Sequence, residues 1–217
     1  MKHKAFTLAE VLITLSIIGV VAALSMPVLN TKVDESKFIA QLHKAENTLN
    51  SALKLTAINN DNLPTKHWVS VSSATGDAAK SLAFFNELKN NMSVKDNCTN
   101  IGNCLGTTYY TLAKKQVATW QTGINCAMTT DGETICMMPD FTNIVVDING
   151  PQSPNIFGVD TFIFTLINNT NSIIIPKNDL ATCSKNVATT TYESSGGCAQ
   201  WALQKGNMDY RRKTVNW

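Results

Sequence analysis

Three sets of residues carry types and spacings that could do chemistry. The first is a lone acid, Glu10, set in an apolar run that spans residues 6–29. An ionised carboxylate there costs on the order of 3 kcal/mol in lipid, so it marks function unless it sits at the headgroup level. The second is the stretch Val146-Asp147-Ile-Asn149-Gly150-Pro151-Gln-Ser-Pro154-Asn155-Ile-Phe-Gly158-Val-Asp160. Asp147, Asn149, Asn155 and Asp160 offer hard oxygen donors from a tight Gly/Pro loop, the ligand chemistry of calcium. The spacing is not that of an EF-hand, and Asx side chains also cap turns through their own backbone. The third set is six cysteines: Cys98, Cys104, Cys126, Cys136, Cys183 and Cys198.

The cysteines fit an oxidising compartment and disulfides. Six allow fifteen pairings. Pairing of neighbours, Cys98–Cys104, Cys126–Cys136 and Cys183–Cys198, closes three short loops and is the reading taken. Zinc is disfavoured, because His3, His43 and His67 all lie upstream of the first cysteine. Nucleophile elbows, H-E-x-x-H and P-loops are absent from the sequence. The expectation is therefore a protein that is not an enzyme.

The elements that must position these residues begin with a helix. From residue 11 to 29 there is no charge, and 19 residues of helix span roughly 28 Å, enough for a bilayer core of roughly 30 Å. Beyond Pro27 an amphipathic stripe, Phe38, Leu42, Ala45, Leu49 and Ala52, widened by Ile39, Leu53 and Leu55, continues the helix to about Ala57. Pro27 then marks a bend or local melting between two halves. A short helix over 77–91 is expected to bury Leu82, Phe85 and Leu88, with Phe84 and Met92 at its edges, while Trp68 and Val69 pack locally. Between 107 and 119 strand and helical turn compete.

Asp131-Gly132 predicts a hairpin turn with Cys126 and Cys136 nearly symmetric about it. Strands over 144–148, 161–167 and 172–175 complete an antiparallel sheet of about four strands. A small sheet laid on the long helix makes an α+β fold of two layers. Residues 199–204 read as a short helix or edge strand. The basic end, with Tyr210, Arg211-Arg212-Lys213 and Trp217, reads as exposed and could touch a polyanion. Bulk charge gives no support for nucleic acid. The chain has 18 basic and 16 acidic residues, and only 16% of its residues are charged.

Lys-His-Lys-Ala ahead of Phe-Thr-Leu-Ala-Glu10, with Pro27 near the far end of the run, resembles the prepilin leader of type IV pilins and type II secretion pseudopilins. The resemblance implies cleavage between Ala5 and Phe6 by a prepilin peptidase, with N-methylation of Phe6. It places Glu10 and Pro27 where the family carries its acid and its helix-kinking proline. The family normally has Gly before the cut, and here it is Ala5. The rival is a secretory signal peptide cut before Met26, after Ala23-Leu24-Ser25.

The resemblance further implies an inner-membrane, single-pass subunit with its head in the periplasm or outside the cell. Its partners are other pilin or pseudopilin subunits and the inner-membrane assembly platform. The implied organisation is a cleaved leader (1–5), an assembly helix (6–29), an amphipathic helix (30–62) and an α+β head (63–217). The segment from Asp147 to Asp160 resembles one found in many pseudopilin-like proteins, a family whose major members bind calcium in this region. Removal of Lys2 and Lys4 leaves the mature chain with as many basic residues as acidic, 16 of each. The expected function is a filament subunit supporting protein secretion. The alternative is a membrane-anchored minor pilin or binding module that contacts a ligand or DNA.

Overall fold

A computed structural model describes residues 7–59, 78–98, 101–117, 120–167, 173–177, 183–184, 186, 190–192 and 197–215, with the side chains at 26–32, 78–80, 101 and 173 outside that description. Contacts divide the chain into two compact units, Met1–Lys37 and Phe38–Trp217.

Helix α1 (Leu8–Asn59) runs for 52 residues. It is helical throughout, so the local melting expected at Pro27 is not found. A proline inside a helix removes only one of the backbone bonds, and the bonds on either side can hold the helical path. Within the larger unit, α1 buries Ile39, Leu42, Ala45, Leu49, Ala52, Leu53 and Thr56. Steps of three and four from Leu42 to Thr56 keep one face inward. Leu55 does not join this face and stays 46% exposed. At 100° per residue it points about 120° away from the centre of the stripe.

Helix α2 (Ala78–Asn90) corrects a second face assignment. Ser81, Phe84, Phe85 and Leu88 are buried, whereas Leu82 is exposed. Ser81 decides the rotation, because its hydroxyl donates to the Met138 carbonyl at 2.9 Å and so turns that side of the helix toward the sheet. The ends of α1 and α2 are tied together. Asn91 Nδ2 donates to Thr56 Oγ1 at 3.0 Å, and Asn59 Nδ2 donates to Asn91 Oδ1 at 3.2 Å.

The sheet has six strands rather than four. They are β1 (Val94–Asp96), β2 (Asn125–Thr129), β3 (Thr134–Met137), β4 (Asn143–Asp147), β5 (Thr161–Ile167) and β6 (Ile173–Pro176). Each pairs antiparallel with the next in chain order. Three-residue β1 is too short to leave a period-two signature in the sequence. The β2–β3 turn uses Gly132 at φ +89°, and Cys126 faces Cys136 directly across the ladder.

Both faces of the sheet are covered. Ala127, Ile135, Met137, Ile144, Val146, Phe162 and Phe164 pack in one core with α1 and α2. Cys126, Cys136, Val145 and Ile163 point the other way, into a core with Leu105, Tyr109, Val117, Trp120 and Phe157. A strand buried on both faces needs no polar alternation, which is why 144–148 is an unbroken apolar run but for one acid.

The 107–117 stretch is neither strand nor helix. Tyr110 makes single bridges to Gln116 and Ile156. Helix α3 (Cys198–Lys205) ends on Gly206 at φ +63°, and a 3-10 turn covers Asp209–Arg211. Disulfides join Cys98 to Cys104, Cys126 to Cys136 and Cys183 to Cys198.

Candidate functional site

The start of α1 is built by its sequence. Thr7 Oγ1 accepts the backbone N–H of Glu10 at 3.3 Å, and Glu10 Oε2 accepts the backbone N–H of Thr7 at 2.8 Å. The Thr7 hydroxyl also donates to Glu10 Oε2 at 2.8 Å. This is a capping box, signalled by Thr-x-x-Glu just before an apolar run. The Thr-x-x-Glu spacing announces this local task, which the lone-acid reading of Glu10 leaves out.

Beyond the box the helix is apolar all round. Leu8, Val11, Leu12, Ile13, Leu15, Ile17, Ile18, Val20, Val21 and Leu24 are all exposed. The stretch Leu8–Ser25 has a mean hydropathy of 2.2, and among the described residues it is the one helix long and apolar enough to cross a membrane. Its hydroxyls are satisfied internally. Thr14 donates to the Val11 carbonyl (2.9 Å), Ser16 to Leu12 (2.8 Å) and Ser25 to Val21 (2.8 Å). A helix with no unspent donor and no polar face suits lipid or the core of a helical bundle. Around Gly19 nothing lies within 4 Å of where a Cβ would stand, which leaves room for a neighbour to approach. Ala5 and Phe6 lie outside the described residues, as does the side chain of Pro27.

The β4–β5 loop is the second candidate. Asp160 accepts the backbone N–H groups of Asn155 and Ile156, each at 2.7 Å. Asp147 accepts the Tyr109 hydroxyl at 2.5 Å and the Asn149 N–H at 3.3 Å. Burial pushes the Asp160 carboxyl up to about 6 and Asp147 well above the carboxylate range, with Asp160 itself adding to the rise at Asp147. Within this loop, Asn149 Oδ1 and Asn155 Oδ1 are buried without a partner among the described residues.

A calcium cage needs carboxylate oxygens free to face the ion. Here the carboxylates already serve a phenol and three backbone amides. Among the described residues, no three His, Cys, Asp or Glu side chains cluster closely enough to hold a metal. As arranged, Asp147 and Asp160 hold the turn through its own backbone amides. Neighbouring chain encloses that turn. A Cβ at Gly150 would stand 2.7 Å from the Gly132 carbonyl, and one at Gly158 would stand 2.9 Å from Cys198 Sγ.

At the basic end Arg212 and Lys213 are exposed, as the sequence suggests, but Tyr210 is not. Tyr210 is fully buried, and its hydroxyl donates to the Gly158 carbonyl at 2.8 Å. Asp209 pairs with Lys213 at 2.9 Å and with Arg212 at 3.7 Å. The tyrosine is thus used inside the fold, and the local acid partly cancels the cations.

Residues 1–26 match the family model of the prokaryotic N-terminal methylation motif. No curated protein and no solved structure matches the chain. The matched segment includes the capping box and most of the exposed apolar helix. It supports a type IV pilin-like protein, membrane-anchored through one helix. The motif implies processing by a prepilin peptidase and assembly with other pilin subunits, and it points to a structural rather than an enzymatic role.

Proposed function

We propose that the chain is a structural subunit of a type II secretion pseudopilus or a type IV pilus-like filament. The observation that carries this is the N-terminal helix, apolar on every side, exposed, and bearing a single acid beside the matched methylation motif. The prepilin peptidase cuts between Ala5 and Phe6, and the Phe6 amine is methylated. The subunit then waits in the inner membrane with residues 38–217 outside the cytoplasm, where the three disulfides form. An assembly platform extracts it, and apolar helices bundle in the filament core. Glu10 of one subunit meets the cationic Phe6 amine of another, which neutralises both charges at low dielectric and sets axial register. Support for the secretion role comes from the likeness of the 147–160 segment to pseudopilins. The DNA-contacting alternative loses the Tyr210 ring as a contact, because that ring is buried.

Intact mass and N-terminal sequencing of the mature protein test the processing step. The expected start is methylated Phe6, and a chain starting at Met26 would overturn the reading. Glu10→Ala is expected to be cut normally yet to enter filaments at least about tenfold less, since an unpaired buried amine costs several kcal/mol. Normal incorporation of that variant would refute the role given to Glu10.

A further inference from the structure

The sheet face that turns away from α1 carries a cleft that filament assembly leaves unexplained. Its volume is about 390 Å3, within the roughly 300–1,000 Å3 of small-molecule sites. The chain on either side of the 111–115 turn is tied together at one part of the lining. The Val117 N–H donates to the Tyr109 carbonyl and the Thr111 N–H to the Lys115 carbonyl, both at 2.9 Å. Trp120 and Gln121 make another part. Gln121 Nε2 donates to the Gly106 carbonyl at 3.0 Å. The Trp120 ring packs edge-on with Tyr109 and Phe157, at centroid distances of 4.9 and 5.3 Å. The lining is therefore set before anything binds, which lowers the cost of binding.

This lining presents hydrogen-bonding groups and no acidic or basic side chain. Tyr109 has spent its hydroxyl on Asp147 and Gly106, so it contributes ring surface. Thr107, Thr108 and Gln116 line the cleft with side chains that are unpaired among the described residues, and Gln121 keeps its Oε1. Trp120 is only 5% exposed, yet its indole N–H has no partner among the described residues. That nitrogen is not one of the fully enclosed polar atoms either, so it opens on the cleft. A tryptophan buried to this degree ordinarily pairs its N–H.

We propose that this cleft binds a neutral saccharide. A sugar hydroxyl both donates and accepts, which matches threonine hydroxyls and glutamine amides, and a sugar oxygen can take the Trp120 N–H. An anion would find no cation in the lining, and an apolar ligand would leave the Trp120 N–H dry. An extended peptide pairs with a strand edge, but Tyr110 has already given its N–H to the Asn155 carbonyl and accepted the Phe157 N–H. The proposal goes beyond the filament reading. Within Phe38–Trp217, α1 packs on the opposite face of the sheet, so bundling of helices does not by itself fill the cleft.

The test uses the full chain, 15N-labelled, in micelles of a detergent that carries no sugar. Glucose, galactose, N-acetylglucosamine and maltose are titrated in turn while the indole and backbone N–H resonances are followed. The Trp120 indole signal is the one missing from Trp120→Phe. At least one sugar should shift that signal and the 107–109 amides saturably, with a Kd in the millimolar range or tighter. Gln116 is exposed, so Gln116→Ala removes a hydrogen-bonding group without touching the core, and Trp120→Phe removes the N–H but keeps an aromatic ring. Each variant, followed through the 107–109 amides, should bind about fivefold more weakly, the worth of one hydrogen bond. The proposal is overturned if none of the four sugars shifts these signals or if either variant binds as tightly as the parent chain. It is overturned equally if inorganic phosphate or N-acetylglycinamide shifts them as strongly as the sugars do. No readout here needs a filament, so failure would leave the assembly reading standing, and a mature chain starting at Met26 would leave the cleft proposal standing.

Discussion

Tyr109 and Asp147 show how a residue can look like a ligand in sequence and act as a brace in the fold. The phenol sits between Trp120 and Phe157, at centroid distances of 4.9 and 5.8 Å. Its hydroxyl donates to Asp147 and accepts the Gly106 N–H at 3.1 Å. Burial, followed by the charge of Asp147, holds the tyrosine in its neutral form far above its usual range. Tyr109→Phe keeps the ring packing but strips a buried carboxyl and a backbone amide of their partner. The expected loss is about 1–3 kcal/mol, read from denaturant melts of the full chain. Asp160→Ala, which frees two buried amides at once, should cost at least as much. No neighbouring residue in sequence announces the Tyr109–Asp147 bond, because 38 positions separate the partners. The Thr7–Glu10 box was readable, since its partners lie three apart.

Among the elements, the edge strand β6 would offer a row of open backbone groups. α1 covers one of its residues with a side chain that mimics a strand. Asn50 Nδ2 donates to the Ile174 carbonyl at 3.0 Å, and the Ile174 N–H donates back to Asn50 Oδ1 at 3.2 Å. An edge closed in this way is protected from pairing with another chain. Asn50→Ala should lower stability by about 1–2 kcal/mol and speed exchange of the Ile174 amide. For α2, Phe85→Ala should cost about 3–5 kcal/mol and Leu82→Ala less than about 0.5, reversing the near-equal weight that helical periodicity alone gives the two positions. Periodicity finds that a helix has an apolar face. It does not rank two adjacent candidate faces when a polar residue, here Ser81, anchors the buried one.

For the molecule as a whole, the two-sided burial of the sheet matters most. One face takes helices, as the sequence led one to expect. The other is covered by Leu105, Tyr109, Val117, Trp120 and Phe157, where an aromatic cluster and the first disulfide take the place of a helix. Short loops gain less from cross-linking than long ones, so Cys98→Ser/Cys104→Ser should cost about 2 kcal/mol and Cys183→Ser/Cys198→Ser about 3 kcal/mol in unfolding experiments. A reversed order would mean that packing around the cystines, rather than chain entropy, sets their worth.

By itself the sequence determined what depends on neighbours along the chain. The apolar run, its acid, the capping spacing, the Asp131-Gly132 turn and the β-branched strands are all local patterns, and the α+β architecture follows from them. The tertiary structure decided whatever depends on residues far apart. It turned Leu55 and Leu82 outward, buried Tyr210 against Gly158, and chose among fifteen possible cysteine pairings. It also spent the loop carboxylates on internal donors and buried Glu133 beside the β2–β3 turn. Each of those outcomes depends on which groups meet across the fold, and spacing along the chain carries no record of that.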